Sequence, residues 1–125
     1  MSETDTQPID AKAWASLEGI ADGDLEFLST LIEQYLVDSN ELVSAIAPAV
    51  EAADAEALAR ASHTLKSASA NLGAMVLTQM AEQLCAIARS GSLDEAEGLA
   101  AEACAEYARV RTELSARLEK LGGAG

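Results

Sequence analysis

Leu58, Ala61, Leu65, Ala68 and Leu72 recur at alternating intervals of three and four residues, and Gly73 then interrupts them. A second run, Leu77, Met80, Leu84 and Ile87, resumes the same rhythm at once. That rhythm puts one apolar stripe on each of two helices. With so little chain between them, the two stripes face each other only in an antiparallel hairpin. Each stripe must be covered, so the hairpin requires further helices packed against it.

The rest of the chain supplies them. Asp10 is placed to cap a short helix carrying Trp14 and Leu17 and stopping at Gly19. Leu28, Leu31, Tyr35, Leu42 and Ile46 then mark a long amphipathic segment, which Pro48 should end or kink. Ser92 and Glu95 have the spacing of a capping box. A last seam follows at Ala96, Ala103, Tyr107, Val110, Leu114 and Leu118, before "GGAG". Aromatic residues make up only 3%, and Ala and Leu dominate, which favours helices over a sheet. The expected fold is all-α: an antiparallel up-down-up-down four-helix bundle with a short extra N-terminal helix. It should occupy residues 9–121, with a disordered tail at 1–8 and a flexible one at 122–125. Tyr35 and Trp14 are read as packing residues, and Cys104 as a small core residue.

Charge narrows the function. The 125 residues carry 21 acidic and 8 basic side chains, a net charge of −13, which disfavours nucleic acid and anionic membranes as partners. No apolar run approaches the roughly 18 residues of a membrane span, and Met1 to Asp10 lack a signal-peptide pattern. Cys85 and Cys104 have no metal-ligand spacing, so a reduced, cytoplasmic protein is expected. A di-iron bundle would use Glu-x-x-His pairs, but Arg60 stands at that position before the single histidine, so no metal site is expected. No nucleotide-binding motif occurs.

That histidine, His63, lies in "RASHTLKSASANLGA". At about 100° per residue it points roughly 180° away from the centre of its helix's seam, into solvent. Ala59, Ser67 and Ala70 around it are small, and Arg60 and Lys66 stand three residues to either side. If the hairpin closes about Gly73, residues near Leu84 lie opposite, and Glu82, Cys85 and Arg89 can approach the ring. A solvent-facing nucleophile with cationic neighbours and a flat surround suits an anionic group carried by a large partner.

"HTLKSASANLGA" resembles the signature of the histidine-containing phosphotransfer (HPt) family: a reacting His followed by Leu, Lys, a small residue and a Leu-Gly pair near the helix end. The resemblance extends over "LIEQYLVDSNELVSAI", "EAADAEAL" and "MAEQLCAIARSG", and so over roughly residues 9 to 121. It implies that His63 takes a phosphoryl group from an aspartyl phosphate through Nε2 and passes it to another receiver. An unperturbed imidazole is largely neutral near pH 7, so no dedicated base is needed. Lys66 matches the family lysine and would offset phosphoryl charge, with Arg89 in support. Ala59, Arg60, Ser67, Ala70, Glu82 and Cys85 would form the docking surface. Ser67 replaces a frequent glycine, and Cys85 stands where many relatives have a Glu or Gln bonded to the imidazole.

The partners implied are response-regulator receiver domains and the receiver of a hybrid histidine kinase. The protein itself would be a phosphotransfer intermediate and not a complete enzyme, with no cofactor of its own. Mg2+ and the acidic pocket would belong to the receiver. A monomer is expected. The alternative is a non-catalytic helical adaptor that docks receiver-like partners through the same face without being phosphorylated.

Overall fold

The structure, a computed structural model, describes residues 7–123, and side chains for 7–121. Five helices follow one another: α1 (Ala11–Ala21), α2 (Leu25–Glu51), α3 (Ala55–Leu72), α4 (Met75–Ser90) and α5 (Ala96–Gly123). No strand occurs among the described residues. Three of the helices start on an aspartate. The carboxylates of Asp10, Asp24 and Asp54 accept hydrogen bonds from the N–H groups of Ala13, Phe27 and Ala57 at 2.9, 3.0 and 3.0 Å. Each cap satisfies a backbone donor that the helix leaves open and contributes about 0.5–2 kcal/mol.

Helix α2 packs on α3, α3 on α4, α4 on α5 and α5 back on α2, closing a four-helix ring that α1 covers at one end. Ile32, Ile46, Leu58, Leu65, Leu77, Leu84, Val110 and Leu114 are fully enclosed by it. Each contributes about 1.5–3 kcal/mol by burial. Trp14 and Leu17 attach α1 to this core, and Arg117 lies 4.7 Å from the Trp14 ring centroid. Gly73 serves two purposes at that end. It has φ +84°, ending α3 in the left-handed region, and a Cβ there would meet the Ala13 side chain at 3.1 Å. Its carbonyl accepts the Asp10 N–H at 2.8 Å. Only glycine allows both the turn and the close approach of α1.

Several expected boundaries move. Helix α1 runs through Gly19 to Ala21, because the left-handed turn comes at Asp22, whose N–H bonds to the Glu18 carbonyl at 2.9 Å. Helix α2 passes Pro48 and ends one turn later, with the Ala52 N–H on the Pro48 carbonyl at 2.9 Å. Pro48 has no N–H for the Ser44 carbonyl, but both residues are exposed, so water can take that acceptor. The Ser92–Glu95 capping box does not form. Ser92 donates its N–H to the Ser90 hydroxyl at 3.3 Å, and α5 begins only at Ala96. At its other end α5 is helical through Gly123, so Gly122 and Gly123, expected in the tail, belong to the helix. The expected tail at residues 1–8 lies mostly outside the described residues.

The seams are right in register but contain polar members. Ser39, Ser62 and Ser69 are fully buried, while Leu31, Leu42 and Ala68 are only half-buried. On α4, Ala81, Cys85 and Ala88 face inward, with Met80 and Ile87 at the margin. Hydroxyls satisfy one another inside the ring. Tyr35 and Ser69 share a hydrogen bond of 2.8 Å, and Ser39 donates to the Tyr107 hydroxyl at 2.9 Å. Ser62 donates to the Leu58 carbonyl at 2.6 Å. Burial pushes the Tyr35 phenol up to about 12, against a partial opposing effect of its bond to Ser69. Glu106 is also buried, paired with Arg109 at 2.9 Å, and its Oε2 has no hydrogen-bond partner among the described residues.

Candidate functional site

The apolar residues of α3 turn inward, and this rotation alone carries His63 outward. The imidazole is exposed, and it makes no hydrogen bond or ion pair with any described residue. Ser67 and Ala70 are exposed beside it and Ala59 is half-buried, so no bulky neighbour of its own helix covers the ring. Lys66 is half-buried, as expected for a side chain whose stem packs while its ammonium stays wet. Arg60 is committed elsewhere. Its guanidinium lies 3.8 Å from the Glu56 carboxylate, an exposed pair of little energetic consequence.

Cys85 lies where α4 meets α3. Its thiol is buried and points to the Ala59 carbonyl at 3.8 Å, one turn before His63. The sulfur thus fastens the α3 backbone and leaves the imidazole alone. From that contact, four residues forward on α3 reach His63, and four residues back on α4 reach Ala81. The antiparallel pairing thus brings the turn of α4 that carries exposed Glu82 toward the His63 turn of α3.

The same pairing separates Arg89 from the imidazole. It lies four residues beyond Cys85 on α4, on the far side of that contact from His63, so a gap separates the two along the axis. Side chains tilt toward the N-terminus of their own helix, so in this antiparallel pair the two lean toward each other and close part of that gap. Arg89 is exposed, in the last turn of α4, where a positive charge also complements the helix dipole. Of the residues singled out in the sequence, the structure thus gathers Ala59, Lys66, Ser67, Ala70 and Glu82 around His63. Cys85 lies beneath them, and Arg60 and Arg89 stand at the margin.

The arrangement offers one accessible nucleophile, one nearby ammonium and a low, open surround. Among the described residues no group of His, Cys, Asp and Glu is placed to hold a metal ion. None of the described helices is long and apolar enough to cross a membrane.

Comparison with known proteins agrees with this geometry. The family model described as "Hpt domain" matches residues 30–122. Among solved structures, the chain resembles histidine-containing phosphotransfer protein B (HptB) from Pseudomonas aeruginosa PAO1. The two are 28% identical, with a TM-score of 0.83 over 90% of this chain and 96% of that one. A search of curated proteins gave no match. With the lone imidazole outermost on a helical bundle and the family match over most of its length, the chain belongs to the Hpt domain family, and its function is histidine phosphotransfer in phosphorelays.

Proposed function

We propose that His63 is the phosphorylated residue and relays a phosphoryl group between the aspartates of two receiver domains. The exposure of this single imidazole, unpartnered among the described residues, carries the reading. A receiver's aspartyl phosphate approaches the outer face of α3. The lone pair of Nε2 attacks phosphorus while Nδ1 holds the ring proton. The P–N bond forms, the P–O bond to the aspartate breaks, and the carboxylate leaves with the electron pair. The reverse sequence delivers the group to the next receiver.

Lys66 stabilises charge on the phosphoryl oxygens, and Ser67 and Ala70 keep the approach low. Arg89 acts from the margin, by extending along the helix toward the transferred group. Glu82 is the carboxylate brought toward His63, and a hard divalent cation requires more oxygen ligands than it offers. The Mg2+ that phosphoryl transfer uses therefore arrives in the receiver's own site, and this chain serves as a substrate-like intermediate. The partners are the receiver of a hybrid kinase on one side and a response regulator on the other, and the protein works as a monomer.

Incubation with a receiver phosphorylated on aspartate tests the reading. Label should move to this chain and be lost in acid but kept in base, as for a phosphoramidate. Stable binding without transfer of label would instead identify the adaptor.

A further inference from the structure

The seam between α4 and α5 is left open. A groove of about 620 Å³ runs between these helices. Ala86, Ile87 and Leu99 give it an apolar floor, with Ile87 and Leu99 half-buried and lacking cover. Gly98 belongs to the same floor. It is helical, and a Cβ built on it would meet nothing within 4 Å. Glycine in a helix is less favourable than alanine, and no group among the described residues uses the space it leaves. Exposed carboxylates mark the rim: Glu95 at one end and Glu102 two turns on.

We infer that this groove receives an amphipathic helix with cationic flanks from a partner protein. An apolar stripe would lie over Ile87 and Leu99, its backbone approaching closely at Gly98. Lysine or arginine side chains would reach Glu95 and Glu102. Cys85 faces α3 and Ile87 faces α5, while Ala86, one turn after Glu82, lies between them on the outer side of α4, so the groove borders the phosphotransfer face.

The test uses the whole chain and a synthetic helical peptide of about four turns, a leucine stripe flanked by lysines, followed by NMR at physiological salt. Shifts should be confined to Ile87, Gly98, Leu99 and their neighbours. The same stripe flanked by glutamates should not bind. Glu95→Lys combined with Glu102→Lys should weaken the lysine peptide by about tenfold. Gly98→Ala should make the free protein more resistant to unfolding and yet bind the peptide several-fold more weakly. That opposition is not expected of a glycine with a purely structural role. Equal binding of both peptides, shifts spread along the acidic outer face of α2, or indifference to Gly98→Ala would overturn the inference. Concentration-dependent shifts in the groove without peptide would also overturn it, by making the occupant a second copy.

Discussion

The two faces of α3 carry polar residues of similar size and opposite fate. On the inner face, Ser62 and Ser69 are fully buried, and each hydroxyl has a defined partner: the Leu58 carbonyl for one, the Tyr35 phenol for the other. On the outer face, His63 and Ser67 are exposed and have none among the described residues. An enclosed polar group is costly unless it is bonded, so the inner set is committed to partners within the bundle, Ser62 in its own helix and Ser69 across to α2. The outer set has no such duty and is free to act on another molecule. Polarity in a helix therefore becomes functional where the fold leaves it unpartnered and accessible.

If that division is right, damage to one face should spare the property of the other. Leu65→Ala should have the largest effect on stability, lowering the unfolding free energy by about 2–5 kcal/mol through lost burial and a cavity. Phosphoryl uptake per folded molecule should be retained, as read by urea titration beside a transfer assay. Tyr35→Phe comes next, at about 1–3 kcal/mol, since it leaves the Ser69 hydroxyl enclosed without its partner. It also changes the alkaline limb. The phenol is raised to about 12 in the fold, so between about pH 10 and 12 the unfolded chain releases a proton that the native one keeps. Stability is full below pH 10 and declines as pH rises, and Tyr35→Phe should flatten that decline.

Lys66→Ala should move a different quantity. Folding should change little, while the equilibrium with a phosphorylated receiver shifts toward the receiver by about 1–3 kcal/mol for one charge-assisted hydrogen bond. Lys66→Arg should recover part of it. A shift matched by an equal loss of folding stability would move Lys66 to the inner, structural set. The smallest effect is expected at the entrance to α3, where Ala53 has φ +56°. Ala53→Gly relieves a conformation that alanine disfavours, offset in part by a more flexible unfolded chain, and should stabilise by about 0.5–1 kcal/mol with transfer unchanged.

The apolar half of this comparison was legible in the sequence. Leu58, Leu65, Leu72, Leu77 and Leu84 announce their helices by spacing, and all five are buried. The buried serines were missed because a hydroxyl reads as outward until its partner is known. Ser62 and Ser69 nevertheless lie within the arc of the α3 seam, and Tyr35 with Ser39 one turn later carried the same signal on α2. Glu106 was hidden for a similar reason, its ion pair with Arg109 being invisible in a chain rich in exposed acids.

At the site, the outward direction of His63 followed from helical angle alone. The level of Glu82 and Arg89 did not. Register between two helices depends on which side chains interlock, and here the contact is a thiol on a carbonyl, Cys85 on Ala59. Pro48 shows the converse: a local rule predicts an end or a kink, and α2 continues past it because an exposed turn tolerates the missing bond.

The central claim is that the unpartnered imidazole does the chemistry and nothing else in the fold depends on it. The most direct measurement is phosphoryl uptake by His63→Gln from a phosphorylated receiver, beside its unfolding free energy. The account predicts complete loss of acid-labile phosphate, with stability within about 0.5 kcal/mol of the parent, as for a surface substitution. Uptake that survives, or a loss of uptake explained by unfolding, would contradict it.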